Sequence, residues 1–208
     1  MPPGLGLYEG VIIEYAPEQI RRLWMSGGMS SLAKSEGSVP GGVNPTGGVR
    51  QEVYSEYRLG RQSACADLVI ATRLADGTGA VLLSLRNNNV CFPGTWWIYG
   101  GATPVYQDIV EFVASRAKGE CGVPVRPQVL LGMYITSSAG TGPEHIGSTM
   151  NACYAAQVPL DLIEQHRHTD EGHQSVKLFT LEEYLQLPAQ QRHWYVEHVV
   201  RRTLENMP

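Results

Sequence analysis

The sequence predicts an α/β sandwich built on a mixed β-sheet. Short runs of β-branched and aliphatic residues alternate irregularly with amphipathic helical stretches, and Gly- or Asp-containing turns separate them. The chain's 208 residues, 43% of them hydrophobic, are enough for one sizeable core.

The elements follow in order. Ala66 to Ala71 and Ala80 to Leu85 read as the strands of a hairpin across the turn Asp76-Gly77-Thr78-Gly79. A Gly- and Pro-containing loop leads to Trp96-Trp97-Ile98-Tyr99 and the pair Gly100-Gly101. A helix is expected from about Val105 to Lys118, with Ile109, Phe112, Val113 and Ala117 on one side and Gly119 and Gly122 ending it. Val129 to Ile135 and Ala152 to Val158 are strand candidates flanking a Gly-rich loop from Ser137 to Gly147. Leu181 to Leu185 and His193 to Asn206 read as helices. Residues 1–60 stand apart from the domain expected over 61–208. Ile20, Leu23 and Trp24 follow Pro17 as a short amphipathic helix, and Ser26 to Val49, with seven glycines, reads as a loop or arm. Such a helix with little core of its own to join leads us to expect a homodimer that uses residues before about Ser63.

Charge and cysteines exclude several classes. Sixteen Lys and Arg against twenty Asp and Glu leave a net charge of -4 with no long block of either sign, which argues against nucleic-acid or anionic-membrane partners and leaves a small anionic ligand open. No apolar run approaches the roughly 18 residues of a membrane span, and MPPGLGLYEG lacks the features of a signal peptide, so the expectation is a cytoplasmic protein. Cys65, Cys91, Cys121 and Cys153 are widely spaced and read as buried free thiols.

One stretch carries a family signal. Gly101-Ala-Thr-Pro-Val-Tyr-Gln107, followed by Ser115-Arg116-Ala117-Lys118-Gly119-Glu120-Cys121-Gly122-Val123, resembles the signature box of the Nudix hydrolases, which cleave nucleoside diphosphates linked to another group. The box runs Gly, five residues, Glu, seven residues, Arg-Glu-aliphatic-any-Glu-Glu-any-Gly-aliphatic. Gly101, Ala117, Glu120, Gly122 and Val123 fill their slots, while Gln107, Ser115, Arg116 and Gly119 stand where the family has Glu, Arg, Glu and Glu. The ordinary box aligns carboxylates at i, i+3 and i+4 on one helix face, where oxygen ligands gather magnesium against a diphosphate. Here that face offers Arg116, Gly119 and Glu120, and Glu111 lies near the opposite side. The resemblance covers roughly Ser63 to Leu185 and implies a Nudix-type α/β/α sandwich.

Within the family, the pattern is similar to the GDP-mannose mannosyl hydrolase branch, which lacks two box glutamates, holds one magnesium and attacks the sugar carbon. That resemblance implies a metal on the Gly100 carbonyl and Glu120, a histidine base at His173, and substrate-binding roles for Asp67 and Arg86. Gly172 falls where that branch has a Gln ligand, and Ala102 and Ser115 fall where it has Arg; Arg116 or Arg73 are candidates for the missing charge. His173 reads equally as a base or as part of an exposed polar loop, and a zinc site on His166, His168 and His173 is the less favoured reading of that stretch. Asp67 within an apolar strand needs a partner or a job, and Arg86 can fork onto a diphosphate or pair with Asp67. Of Trp96 and Trp97, one is expected in the core while the other can stack on a base or sugar. Three activities stay open: a one-magnesium hydrolase of a nucleotide sugar or related nucleoside diphosphate derivative; a catalytically silent module binding a nucleotide or a protein; and, last, hydrolysis at phosphorus with help from Glu144 or Glu171.

Overall fold

The computed structural model of the chain describes residues 10–14, 63–88, 90–103, 108–137, 148–168 and 170–208. The described strands form one eight-stranded sheet: β1 (Gly10–Glu14), β2 (Ser63–Arg73), β3 (Gly79–Arg86), β4 (Trp96–Trp97), β5 (Tyr99–Ala102), β6 (Val129–Ser137), β7 (Ser148–Gln157) and β8 (His173–Phe179). Its order is β1-β6-β7-β2-β3-β4, with β5 beside β2 and β8 beside β3. The parallel pairing of β2 with β7 among antiparallel neighbours makes the sheet mixed, as expected.

The long central strand β2 divides its free edge. Ile70 to Arg73 pair with β3 across the turn, where Thr78 donates its amide to Asp76 Oδ1 and Gly77 takes a positive φ of 85°. Cys65 to Leu68 pair instead with β5. Strict alternation along β2 sends Ala66, Leu68 and Ile70 into one core layer and Val69 and Ala71 into the other.

The first layer lies under α1 (Ile109–Cys121) and α2 (Leu160–His166), the second under α3 (Leu181–Gln186) and α4 (Trp194–Asn206). Helix α1 begins after Asp108, whose Oδ1 accepts from the amides of Val110 and Glu111, rather than near Val105. Gly119 does not end it. The stop falls at Gly122, in the left-handed region with φ 80°. Helix α3 opens with a capping box between Thr180 and Glu183.

Three elements were not anticipated. β1 is a strand in the segment read as helix and arm, and it pairs with β6; the proposed helix around Ile20, Leu23 and Trp24 and the Gly-rich stretch lie outside the described residues. Helix α2 and strand β8 fall where the sequence offers mixed polar residues with weak periodicity. Cys121 and Cys153 are buried free thiols, while Cys65 is buried and Cys91 half-buried. Among the described residues no helix is long and apolar enough to cross a membrane.

Candidate functional site

Gly100 and Glu120 meet where β5 passes under the last turn of α1. Gly100 stands opposite Asp67 in the ladder and donates its amide to Glu120 Oε2 at 3.1 Å. Only glycine suits this place, because φ is 146° and a Cβ would stand 2.1 Å from the Ala66 carbonyl oxygen and 2.7 Å from Asp67 Oδ1. Gly100 thus meets Glu120 through its N–H, a donor.

Arg116 takes the other Glu120 oxygen. The helical i, i+4 spacing sets its Nη2 2.5 Å from Oε1, and its side chain is 51% exposed while that of Glu120 is 7% exposed. Burial pushes the Glu120 carboxyl above its ordinary range, while Arg116, the Gly100 amide and His173 pull it down and Asp170 pushes it up. Glu120 is thus a buried acid held by two donors. Arg116 also lies over Gly101, whose added Cβ would stand 3.8 Å from Nη2.

The donor set does not fit magnesium. That ion wants near-octahedral oxygen coordination at about 2.1 Å, and the single box carboxylate already faces a guanidinium and an amide. Glu111 pairs with Arg126 on the outer side of α1, Gly172 brings no side chain, and no group of three His, Cys, Asp or Glu gathers among the described residues. Gln107 and Glu144 lie outside the described residues. Arg73 is also elsewhere, bonded to the Gly77 and Pro208 carbonyl oxygens. His166 and His168 stand beside Gly122, and neither joins His173 in a metal site among the described residues.

His173 enters the site through a slip in the ladder. The register Leu85↔Ser175 becomes Arg86↔His173, so Gln174 is the extra residue and the side-chain alternation of β8 inverts before it. Had regular alternation continued, His173 would share the face of Lys177 and Phe179. Instead it stands opposite Arg86. A tight turn holds the ring, 8% exposed, with Nδ1 2.6 Å from Asp170 Oδ1, which also accepts the Gly172 amide at 2.9 Å. The polar stretch read as either loop or base is therefore ordered into a histidine–carboxylate pair.

Asp67 and Arg86 meet across a different space. Asp67 is 5% exposed and accepts the Tyr195 hydroxyl at 2.8 Å. Burial raises its pKa to about 6, against the pull of Tyr195 and of the Arg86 charge. With the Arg86 guanidinium 5.2 Å from the Trp97 ring centre, these residues border a cleft of about 90 Å³ whose rim is Gly100 to Ala102. Thr136, Thr149 and Asn151 also line it; Thr136 and Thr149 share a hydrogen bond of 2.7 Å, and buried Asn151 keeps its Oδ1 without a partner among the described residues. Neither tryptophan is free to stack on a ligand, because Trp96 packs against Phe179 and Trp97 against Phe92.

The pairing of Asp170 with His173 and the places of Tyr195 and Asn151 escaped the sequence reading. Asp170 precedes His173 by three residues, and that turn-forming spacing was the available signal. Tyr195 and Asn151 offered none, since each gains its meaning from strands distant in sequence.

No family model matches the chain, and neither does any curated protein. Its fold is similar to several solved structures. A MutT protein from Methanosarcina mazei Go1 is 17% identical, with a TM-score of 0.54 over 71% of this chain and 99% of that one. A NUDIX hydrolase from Nitrosomonas europaea is 19% identical, with a TM-score of 0.53 over 68% and 88%. The NUDIX domain of Shewanella oneidensis NrtR, solved with ADP ribose, is 20% identical, with a TM-score of 0.52 over 74% and 98%. At such identities the likeness is one of fold: this chain has the Nudix fold.

Proposed function

We infer that the chain is a hydrolase of a nucleotide sugar or related nucleoside diphosphate derivative, with His173 as the base. The 2.6 Å contact of His173 Nδ1 with Asp170 carries this reading. In the neutral tautomer with the proton on Nδ1, the carboxylate fixes the ring and leaves Nε2 as an acceptor for a water proton. Water then attacks the sugar carbon, its proton passes to Nε2, and the bond from that carbon to the diphosphate oxygen breaks. The nucleoside diphosphate leaves as an anion, and in this reading Arg86 and Arg116 supply the positive charge that meets it. Asp67 beside Arg86 orients the substrate's polar groups at the cleft. The NrtR domain solved with ADP ribose supports a diphosphate-linked ligand.

Incubation with a panel of ADP-, GDP- and UDP-sugars in oxygen-18 water tests this. Labelled free sugar, lost in His173→Gln, is the expected result; label in the nucleotide phosphate would reject attack at carbon. The second reading, a silent nucleotide-binding module, is favoured by the engaged state of Glu120. Tight nucleotide binding with no turnover across the panel would select it. A cytoplasmic homodimer, built through residues before Ser63, completes the proposal, and light scattering on full-length and arm-deleted protein tests the assembly.

A further inference from the structure

We propose that the Arg116 guanidinium replaces the divalent cation at Glu120, so that the site meets a ligand's diphosphate without metal. The inference rests on the reading of the ligand as a nucleoside diphosphate derivative and concerns how that ligand's charge is met.

Glu120 is 5% exposed and carries the only carboxylate of the box face, with Arg116 on one oxygen and the Gly100 amide on the other. A magnesium ion at about 2.1 Å from either oxygen must share it with one of these donors, and a second cation beside Arg116 meets like-charge repulsion. Of the neighbouring acid Asp170, Oδ1 already accepts from Gly172 and contacts His173.

Arg116 has what the replacement requires. A guanidinium carries five N–H donors, and Glu120 holds it through Nη2 while half of the side chain faces solvent. It lies over Gly101, part of the rim of the cleft that Arg86 borders. The planar fork of each arginine, Arg116 on α1 and Arg86 at the end of β3, matches two phosphate oxygens. Glu120 acts here as a positioning residue, since its anchored carboxylate fixes where the Arg116 fork stands.

Two probes test the idea on the full chain. The first is Mn²⁺ alone, followed by electron paramagnetic resonance in wild type and Glu120→Gln. Superimposable titrations are expected, and a bound Mn²⁺ lost in the variant would overturn the proposal. The second is ADP, followed by calorimetry in EDTA and in magnesium. Dissociation constants agreeing within about twofold are expected, with Arg116→Gln weakening ADP about tenfold in EDTA and Arg116→Lys recovering part of the loss. Binding that appears only with magnesium would overturn the proposal while leaving the hydrolase reading intact. Absence of ADP binding in both buffers would instead reject the nucleotide reading and, with it, the role given to Arg116. Melting curves of each variant show that the fold is retained.

Discussion

Tyr195 on the last helix donates its hydroxyl to Asp67 on the central strand at 2.8 Å, closing a hydrogen bond between residues 128 positions apart. The pair ties α4 to the strand that borders the cleft, and it keeps a carboxyl group in a place where ionisation is costly. Burial outweighs both the phenol and the Arg86 charge, which leaves Asp67 with a pKa of about 6.

That burial predicts a pH signature. A carboxyl raised in the folded state contributes stability below its unfolded value, and loses it as pH climbs through about 6. Asp67→Asn keeps an acceptor for Tyr195 and cannot ionise. Its stability relative to wild type should rise by on the order of 2 kcal/mol between pH 4 and pH 7. Urea midpoints at the two pH values measure the change, and equal slopes for both proteins would contradict it.

His193 should act with the opposite sign. Its half-buried ring caps α4 by accepting the Tyr195 amide, and burial lowers its pKa to about 4. A depressed histidine contributes stability above its unfolded value and loses it as pH falls from about 6.5 towards 4. His193→Asn retains a capping acceptor but gives up ring contacts with Phe92 and Trp97. The variant should be less stable at pH 7 yet lose less between pH 7 and pH 4.5, which calorimetric melting over that range reads directly.

Two glycines should respond oppositely to alanine. Gly119 sits in the exposed interior of α1 with open space around its missing Cβ, so Gly119→Ala should stabilise by about 0.5–1 kcal/mol. Gly100 takes a φ that alanine resists, and its Cβ would collide with the β2 backbone. Gly100→Ala should cost more than about 3 kcal/mol. Denaturant titration of both variants checks the contrast, and a mild Gly100→Ala would mean that β5 can shift away from β2.

Kinetics should separate the charge of Asp170 from its hydrogen bonding. Asp170→Asn retains an oxygen for His173 and the Gly172 amide but removes the negative charge opposite the imidazolium that the proposed mechanism forms at His173. On a nucleotide sugar that wild type turns over, kcat should fall about tenfold, against roughly 10²–10⁴-fold for His173→Gln. Equal kcat for wild type and Asp170→Asn would show that the charge plays no part.

Much of this protein could be read from local pattern. The β2–β3 hairpin announced itself through aliphatic runs and the Asp76-Gly77 turn, and α1 through its apolar spacing and Gly122, because these elements depend on neighbours a few residues away. The i, i+4 spacing of Arg116 and Glu120 also sufficed to bring those two together, since a helix converts it into contact. Which donors would hold Glu120 was not legible: the Gly100 amide reaches it only through the pairing of β5 with β2 and the packing of α1 above them. His173 lay in a polar stretch with no strand signal, and the one-residue slip against Arg86 decided which way its ring would face. Asp67 showed in the sequence only as an acid in an apolar run; its partner Tyr195 came from a helix 128 residues later, brought there because both core layers must be covered. Sequence alone determined the fold class and the residue types available to the site, since those follow from periodicity and composition. Tertiary structure alone decided that Glu120 holds a guanidinium and an amide, because donors compete for a buried carboxylate by proximity in space, which chain order does not encode.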